Sequence, residues 1–129
     1  MNTIEIEGRR LAFDEVGALD GFPVFYFHGG NGSRLEARWF EGQAKKSALR
    51  IIAPDRPGFG RSDADPNRTL TSWADDVAAL ADHLCLSRIC VIGLSGGGPH
   101  ALAVAHELGD RVAAFGVVSS LSPPAQAAL

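Results

Sequence analysis

A serine flanked by glycines stands where a strand pattern passes into a helix pattern. The segment Gly93-Leu94-Ser95-Gly96-Gly97 directly follows the apolar run that begins at Ile89. A serine on such a sharp turn has its hydroxyl pushed out at the carboxyl edge of a sheet, and the N–H of the next residue, Gly96, lies at the positive end of a helix. These residues predict attack by Ser95 on an acyl group, with the developing oxyanion stabilised by that N–H. The alternative interpretation is a structural glycine turn.

A second glycine loop, His28-Gly29-Gly30-Asn31-Gly32, follows the first buried strand pattern. Its glycines let the main chain turn with N–H groups exposed. In a doubly wound sheet this loop and the serine turn both lie at the carboxyl ends of strands, where ligands bind. The two loops could therefore offer two donors to one negative charge. For His28 itself we expect a hydrogen-bonded structural role that anchors the turn, rather than catalysis.

A third loop, Asp55-Arg56-Pro57-Gly58-Phe59-Gly60-Arg61-Ser62, follows the strand pattern at Ile51. Its proline and glycines mark a tight turn. Asp55 could serve as a catalytic acid, but contacts that fix its own backbone turn are the favoured interpretation.

The elements that must position these loops alternate between strands and helices. Residues 2–7 and 10–16 alternate apolar and polar side chains, which predicts an antiparallel hairpin with one face in water. The later apolar runs, at Val24, Ile51, Ile89 and Val112, are continuous, as in strands covered on both faces of a parallel sheet. The sequence therefore predicts an α/β fold: a doubly wound, mostly parallel sheet with an N-terminal antiparallel hairpin.

Three helix patterns lie between the strands. Ser33 to Glu36 fits a capping box that opens a helix to about Ser47, with Leu35 and Trp39 on one face. Thr71 or Ser72 is expected to cap the second helix, whose buried stripe comprises Trp73, Val77, Leu80, Ala81 and Leu84. The third helix, from Gly96 to Leu108, is apolar nearly all round and should lie deep, with Gly109 as its left-handed end.

Taken in order and content, the three glycine loops resemble those of the α/β-hydrolase superfamily, in its serine-nucleophile branch. The resemblance implies Ser95 as nucleophile, the N–H groups of Gly30 and Gly96 as the oxyanion hole, His28 and Gly29 as support for the oxyanion loop, and no cofactor. It covers nearly the whole chain as a single domain, residues 1–129, but only the N-terminal portion of a family core. Residues 119–129, around Ser122-Pro123-Pro124, are expected to begin a cap or linker.

The resemblance also implies a triad acid and histidine that we do not find after Ser95. His100 lies five positions along the predicted helix, about 140° round and ~7 Å along the axis, which is a poor position for taking the proton of Ser95. His106 is farther along. The expected function is hydrolysis of a carboxylic ester or related acyl bond in a small-molecule substrate, with the isolated chain inactive or very weak. Because position 95 is serine, a dehalogenase or epoxide hydrolase with an aspartate nucleophile is disfavoured.

The alternative function is a non-catalytic, truncated module that binds a partner or self-associates. Without further strands, the run from Val112 to Val118 would form an uncovered sheet edge. Such an edge could support a homodimer or pairing with a C-terminal half.

Composition excludes several other classes of function. Twelve Lys and Arg against fifteen Asp and Glu give a net charge of −3, and the basic residues are scattered, so we expect no nucleic-acid partner. The first residues carry acid where a signal peptide carries base, and no apolar run approaches the ~18 residues of a membrane span, which predicts a cytoplasmic protein without membrane attachment. Cys85 and Cys90 form no disulfide framework and are expected to be buried thiols.

Metal and dinucleotide sites are also disfavoured. No His/Cys group has zinc spacing, so no metal is expected. The segment starting at Gly96 formally fits G-x-G-x-x-A, but the acidic residue expected about 20 positions later is missing.

Overall fold

The structure, a computed structural model, describes residues 1–122. Within them the chain forms one mixed sheet with the strand order β1-β2-β4-β3-β5-β6. The strands are β1 (Asn2–Ile6), β2 (Arg9–Gly17), β3 (Phe22–Phe27), β4 (Leu49–Pro54), β5 (Ile89–Leu94) and β6 (Val112–Val118). β1, β2 and β4 are antiparallel neighbours, whereas β4, β3, β5 and β6 run parallel. The predicted fold class, including the N-terminal hairpin, is confirmed.

The hairpin turn between β1 and β2 has positive φ at both central residues, Glu7 and Gly8, as a type I′ turn requires. The expectation of one face in water is wrong for β2, since residues 11–14 are all buried. A 3₁₀ helix, Arg34–Phe40, covers the second face, where Arg34 pairs with Asp14.

The predicted first helix is instead two short helices, the 3₁₀ helix Arg34–Phe40 and α1 (Glu41–Lys46). Ser33 caps the 3₁₀ helix through the Leu35 N–H, but Glu36 does not complete a capping box because its carboxylate bonds elsewhere. Residues three apart share a face of a 3₁₀ helix, so Arg34 and Ala37 are buried. The residues predicted to share a face, Leu35 and Trp39, are exposed: Trp39 is 73% exposed and Leu35 42%.

Helix α2 (Leu70–His83) begins at a different cap from the predicted Thr71 or Ser72. Thr69 is the N-cap, and Ser72 completes a capping box with it. The predicted buried stripe is confirmed for Trp73, Val77, Leu80 and Ala81, while Leu84 is partly buried at the C-cap. This stripe packs under β3 and β5, with Trp73 edge-on to Phe27 at 5.2 Å.

Helix α3 (Gly98–Leu108) begins two residues after the predicted start, because Ser95–Gly97 forms a separate 3₁₀ turn. Gly109 ends the helix with positive φ, as predicted. The expected deep position is wrong: Ala101 and Val104 are buried, but Leu102 is exposed, since no described element covers that side.

Strand β6 is an edge strand of the sheet formed by residues 1–122, and Phe115, Val117 and Val118 on it are exposed. Cys85 is exposed, contrary to expectation, because it lies just beyond the C-cap of α2. Of the predicted cap or linker, residues 119–122 are described and residues 123–129 lie outside the described part. No helix in the described part combines the length and apolarity needed to span a membrane.

Candidate active site

Ser95 occupies a strained turn between β5 and α3. Leu94 before it is extended, and Ser95 has φ of 50°, a left-handed conformation for a residue with a side chain. This conformation costs about 1–2 kcal/mol for an L-residue and persists only where the surroundings hold it. Ser95 is therefore presented on a bend and not within a regular helix.

The glycines around Ser95 allow three backbone segments to meet. A Cβ added at Gly93 would overlap the carbonyl of Gly97, and one added at Gly97 would overlap the carbonyl of Phe27 at the end of β3. At Gly96 an added Cβ would lie only 2.9 Å from the amide nitrogen of Gly30. The end of β5, the start of α3 and the loop after β3 are thus packed main chain against main chain.

The structure brings the sequence-predicted residues Ser95, Gly96, Gly29 and Gly30 together. Gly29 lies next to the serine, since a Cβ on it would be 3.9 Å from Ser95 Cβ. Within residues 1–122, the Gly30 N–H has no main-chain acceptor. The loop after β3 therefore leaves this donor beside the serine turn.

The Arg56 guanidinium joins the two loops, a role that the sequence did not reveal. One terminal nitrogen donates to the carbonyls of His28, at 2.9 Å, and Gly96, at 3.0 Å. The other donates to the carbonyl of Gly29 at 3.0 Å. Arg56 is buried and packs over the Phe59 ring, 5.0 Å from its centroid. The only sequence signal was its position directly after the strand end at Pro54–Asp55.

His28 is fully buried and both its ring nitrogens are engaged. Nε2 accepts from the Arg56 amide at 3.1 Å, so Nδ1 carries the proton and donates to the carbonyl of Gly29 at 2.8 Å. Burial lowers the pKa of His28, and the ring is neutral near pH 7. With both nitrogens used in this way, His28 holds the loop and is not free to accept a proton from Ser95.

Glu36 reaches the same loop from the 3₁₀ helix. Its Oε2 accepts from the Gly29 N–H at 3.1 Å and from the Tyr26 hydroxyl at 2.8 Å. Burial and this carboxylate raise the pKa of Tyr26. The N–H and the carbonyl of Gly29 are therefore both fixed by side chains. The capping pattern at Ser33 had suggested a different partner for Glu36.

Asp55 fixes its own loop, as predicted, and also makes an ion pair that was not predicted. It accepts from the Arg61 N–H at 2.9 Å, from the Arg34 N–H at 2.6 Å and from the Arg34 guanidinium at 2.7 Å. The carboxylate is completely buried. It anchors the 3₁₀ helix to the loop after β4 and lies in a structural network.

A cavity of about 410 Å³ opens in front of the two loops. It is lined by Gly30, Arg56, Pro57, Phe59, Arg68, Thr69, Leu70, Ser72, Trp73, Gly96, His100 and Leu121. His100 contacts the carbonyl of Gly96 through Nδ1 at 3.0 Å. Burial and the neighbouring Arg56 lower the pKa of His100 to about 4, so it is neutral near pH 7. No cluster of three or more His, Cys, Asp or Glu side chains suited to a metal ion occurs among residues 1–122.

Comparison with known proteins gives a consistent result. The family model described as "alpha/beta hydrolase fold" matches residues 23–128. An uncharacterized hydrolase of Bacillus subtilis is 30% identical over 112 residues, which are 87% of this chain and 38% of that protein. A non-heme chloroperoxidase of Streptomyces lividans is 36% identical over 122 residues, covering 91% of this chain and 43% of that protein. The chain thus spans about two fifths of the length of these relatives.

Among solved structures, a thermophilic esterase from Thermogutta terrifontis, solved with malate bound, superposes with a TM-score of 0.81. It is 34% identical, and the match covers 95% of this chain and 45% of that one.

Proposed function

Because this chain belongs to the α/β-hydrolase family, we propose that Ser95 is the nucleophile of a serine hydrolase that cleaves a carboxylic ester or related acyl bond. The observation that carries the proposal is the left-handed turn at Ser95, beside the Gly30 N–H, which has no main-chain acceptor among the described residues. A strained serine at a strand-to-helix turn is the arrangement that a nucleophile elbow requires.

The reaction proceeds through an acyl-enzyme. Ser95 Oγ forms a bond to the acyl carbon while its proton passes to a base, and the carbonyl π electrons move onto oxygen. Collapse of this intermediate expels the alcohol, which leaves with the proton from the base. Water then attacks the ester of Ser95 in the same manner and releases the acid and the free hydroxyl.

The N–H groups of Gly30 and Gly96 are the proposed donors to the oxyanion. The Gly29 carbonyl belongs to the same peptide as the Gly30 N–H, and the two groups of a trans peptide point in opposite directions. Arg56 and His28 both donate to that carbonyl, which fixes the direction of the N–H. Preorganised donors of this kind are worth about 10²–10³ in rate each.

The base is proposed to come from outside residues 1–122. His28 uses both ring nitrogens within its loop, and no hydrogen bond joins His100, five residues farther along the chain, to Ser95 among residues 1–122. Asp55 is committed to Arg34. We propose that an acid and a histidine in a longer protein complete the site, and that residues 119–129 lead into a cap or linker. Leu121, which lines the cavity, is consistent with that position.

Trapping of the acyl-enzyme tests this proposal. In the longer protein that supplies the base, an activated ester such as p-nitrophenyl acetate should acetylate Ser95, and quenching with acid during turnover preserves the acetyl group. Mass spectrometry of peptides from the treated chain should find the adduct on Ser95, and the Ser95→Ala variant should lack it. Acetylation spread over the other serines, or absent from Ser95, would overturn the assignment.

A second candidate function is self-association through β6. The observation that favours it is the exposure of Phe115, Val117 and Val118 on an edge strand. Exposed apolar strand edges pair readily with other chains. Analytical ultracentrifugation should then show a dimer that Phe115→Glu weakens. A monomer at all concentrations would exclude this candidate.

A further inference from the structure

The cavity beside Ser95 carries positive charge in a protein of net negative charge. The chain has a net charge of −3, yet the residues that line the cavity include two arginines, Arg56 and Arg68, and no aspartate or glutamate. A concave surface lined by one sign of charge concentrates its field and attracts ligands of the opposite sign.

Arg56 has no carboxylate partner among residues 1–122. Its guanidinium donates to the main-chain carbonyls of His28, Gly29 and Gly96 and lies 3.5 Å from Nδ1 of His100, and burial lowers its pKa. Glu36 is near enough to favour the charged form, but its carboxylate is engaged by Tyr26 and Gly29. A buried cation without a contacting counter-ion is costly, and a bound anion would offset that cost.

Arg68 is exposed at the rim of the same cavity. Its Nη1 lies over the loop after β4, 3.8 Å from where a Cβ of Gly58 would be. It takes part in none of the ion pairs found among residues 1–122, in contrast to Arg9, Arg10, Arg34 and Arg50. A guanidinium free of protein carboxylates is available for two parallel hydrogen bonds to a ligand carboxylate.

The N-terminus of α2 adds partial positive charge to the same wall. Thr69, Leu70 and Ser72 line the cavity at the start of this 14-residue helix, and its first turn contains no acidic residue to offset the dipole. Trp73, one residue farther along, is 2% exposed, and its indole N–H has no acceptor among the described residues. This side of the cavity therefore supplies both a hydrogen-bond donor, the Trp73 indole, and the partial positive charge of the α2 N-terminus.

Apolar side chains complete the cavity, among them Phe59, Leu70, Trp73 and Leu121. From this combination we propose that the cavity selects acyl substrates with an apolar body and a free carboxylate, bound by Arg68 within the field of Arg56 and the α2 N-terminus. The inference names the substrate class of the proposed hydrolase and so rests on that function, but binding of the carboxylate itself needs no reaction at Ser95.

The test compares a carboxylate ligand with its uncharged isostere. The chain is titrated with 3-phenylpropionate and with 3-phenylpropionamide, and amide resonances are followed by NMR. We expect the carboxylate to bind about tenfold tighter, in line with charge-assisted hydrogen bonds, and to shift the resonances of Gly30, Leu70 and the Trp73 indole. The preference should shrink as salt rises from about 0.01 M to about 1 M, because Arg68 is exposed to screening.

Two arginine variants locate the effect. Arg68→Gln should reduce the preference for the carboxylate to about threefold or less, whereas Arg88→Gln, which removes the same charge at the amino end of β5, should leave it unchanged. Equal binding of acid and amide, no saturable binding of either, or equal effects of the two variants would overturn the inference. If the carboxylate binds as expected but Ser95 takes up no acetyl group, the proposed function fails while the anion site stands.

Discussion

The guanidinium of Arg56 donates to the carbonyl oxygen of Gly29 at 3.0 Å, and that carbonyl belongs to the peptide whose N–H is contributed by Gly30. The same guanidinium holds the carbonyl of Gly96 at 3.0 Å. One buried side chain therefore fixes the position of the loop after β3 relative to the turn at Ser95. In the proposed hydrolase Arg56 acts as a positioning residue, through the main chain that it orients.

Arg56→Lys should destabilise the protein by about 1–3 kcal/mol, because an ammonium cannot bond to all three carbonyls. The Gly29 and Gly96 carbonyls keep their contacts with the His28 and His100 rings, but the His28 carbonyl is left buried without a donor. Urea unfolding followed by circular dichroism measures the change. The control, Arg61→Lys, alters an exposed side chain of the same loop and should stay within about 0.5 kcal/mol of the wild type. Equal stabilities of the two variants would show that the Arg56 contacts contribute little.

Ser95→Gly should be more stable than Ser95→Ala by about 1 kcal/mol, because only glycine adopts the positive φ at this turn without strain. Both variants lack the hydroxyl, so the comparison isolates the backbone from the chemistry. The difference in unfolding free energy is measured from the denaturant midpoints of the two variants, provided that the free energy of both falls with denaturant at the same slope. If the alanine variant is the more stable, Ser95 is not held in the left-handed conformation.

Asp55→Asn should cost about 3–5 kcal/mol of unfolding free energy, since it removes the charge that the buried Arg34 pairs with at 2.7 Å. The matched variant Asp63→Asn changes an exposed pair with Arg10 and should cost less than about 1 kcal/mol. Thermal unfolding of the two variants provides the measurement. Similar losses in both would contradict the structural role assigned to Asp55.

The protein should lose stability as the pH falls from about 6.5 toward 4. The pKa of His100 is lowered to about 4, chiefly by burial, so between these values the unfolded chain binds a proton that the folded chain does not. Stability therefore rises with pH across this window, by at most ~1.4 kcal/mol per pH unit for this group. His100→Asn keeps a polar atom near the Gly96 carbonyl and should flatten the profile. His28, whose pKa is also lowered, still titrates in that variant. If the slope of the unfolding free energy against pH is unchanged in His100→Asn, His100 is not a source of the pH dependence.

The alternation of strands and helices and the positions of the three loops could be predicted from the sequence because continuous apolar runs and glycine turns are local signals. Gly93 and Gly97 illustrate this, since their need for close backbone approach follows from the turn alone. The ends of the helices were less predictable. Thr69 caps α2 in place of Thr71 or Ser72 because hydroxyl residues cluster there and only the three-dimensional structure selects one.

The side chains that hold the site together were not predictable in the same way. Arg56 and Glu36 bond to main-chain groups of a loop that lies far from Arg56 and several residues from Glu36 in sequence. Such contacts depend on the packing of β3 against β4 and β5 and leave no spacing pattern in the chain. The spacing that placed Leu35 and Trp39 on one face likewise did not reveal that a 3₁₀ helix turns Trp39 outward.

The reaction of Ser95 with a fluorophosphonate, measured in Gly30 variants, tests the central claim most directly. A side chain at Gly30 would meet nothing within 4 Å, so Gly30→Ala keeps the N–H without crowding, whereas Gly30→Pro removes it. With the variants made in the longer protein that supplies the base, and both shown to be folded by circular dichroism, we expect labelling to map to Ser95, at similar rates in the wild type and Gly30→Ala, and about 10²–10³ slower in Gly30→Pro. Equal rates in all three proteins, or labelling that does not favour Ser95 over the other serines, would contradict the account.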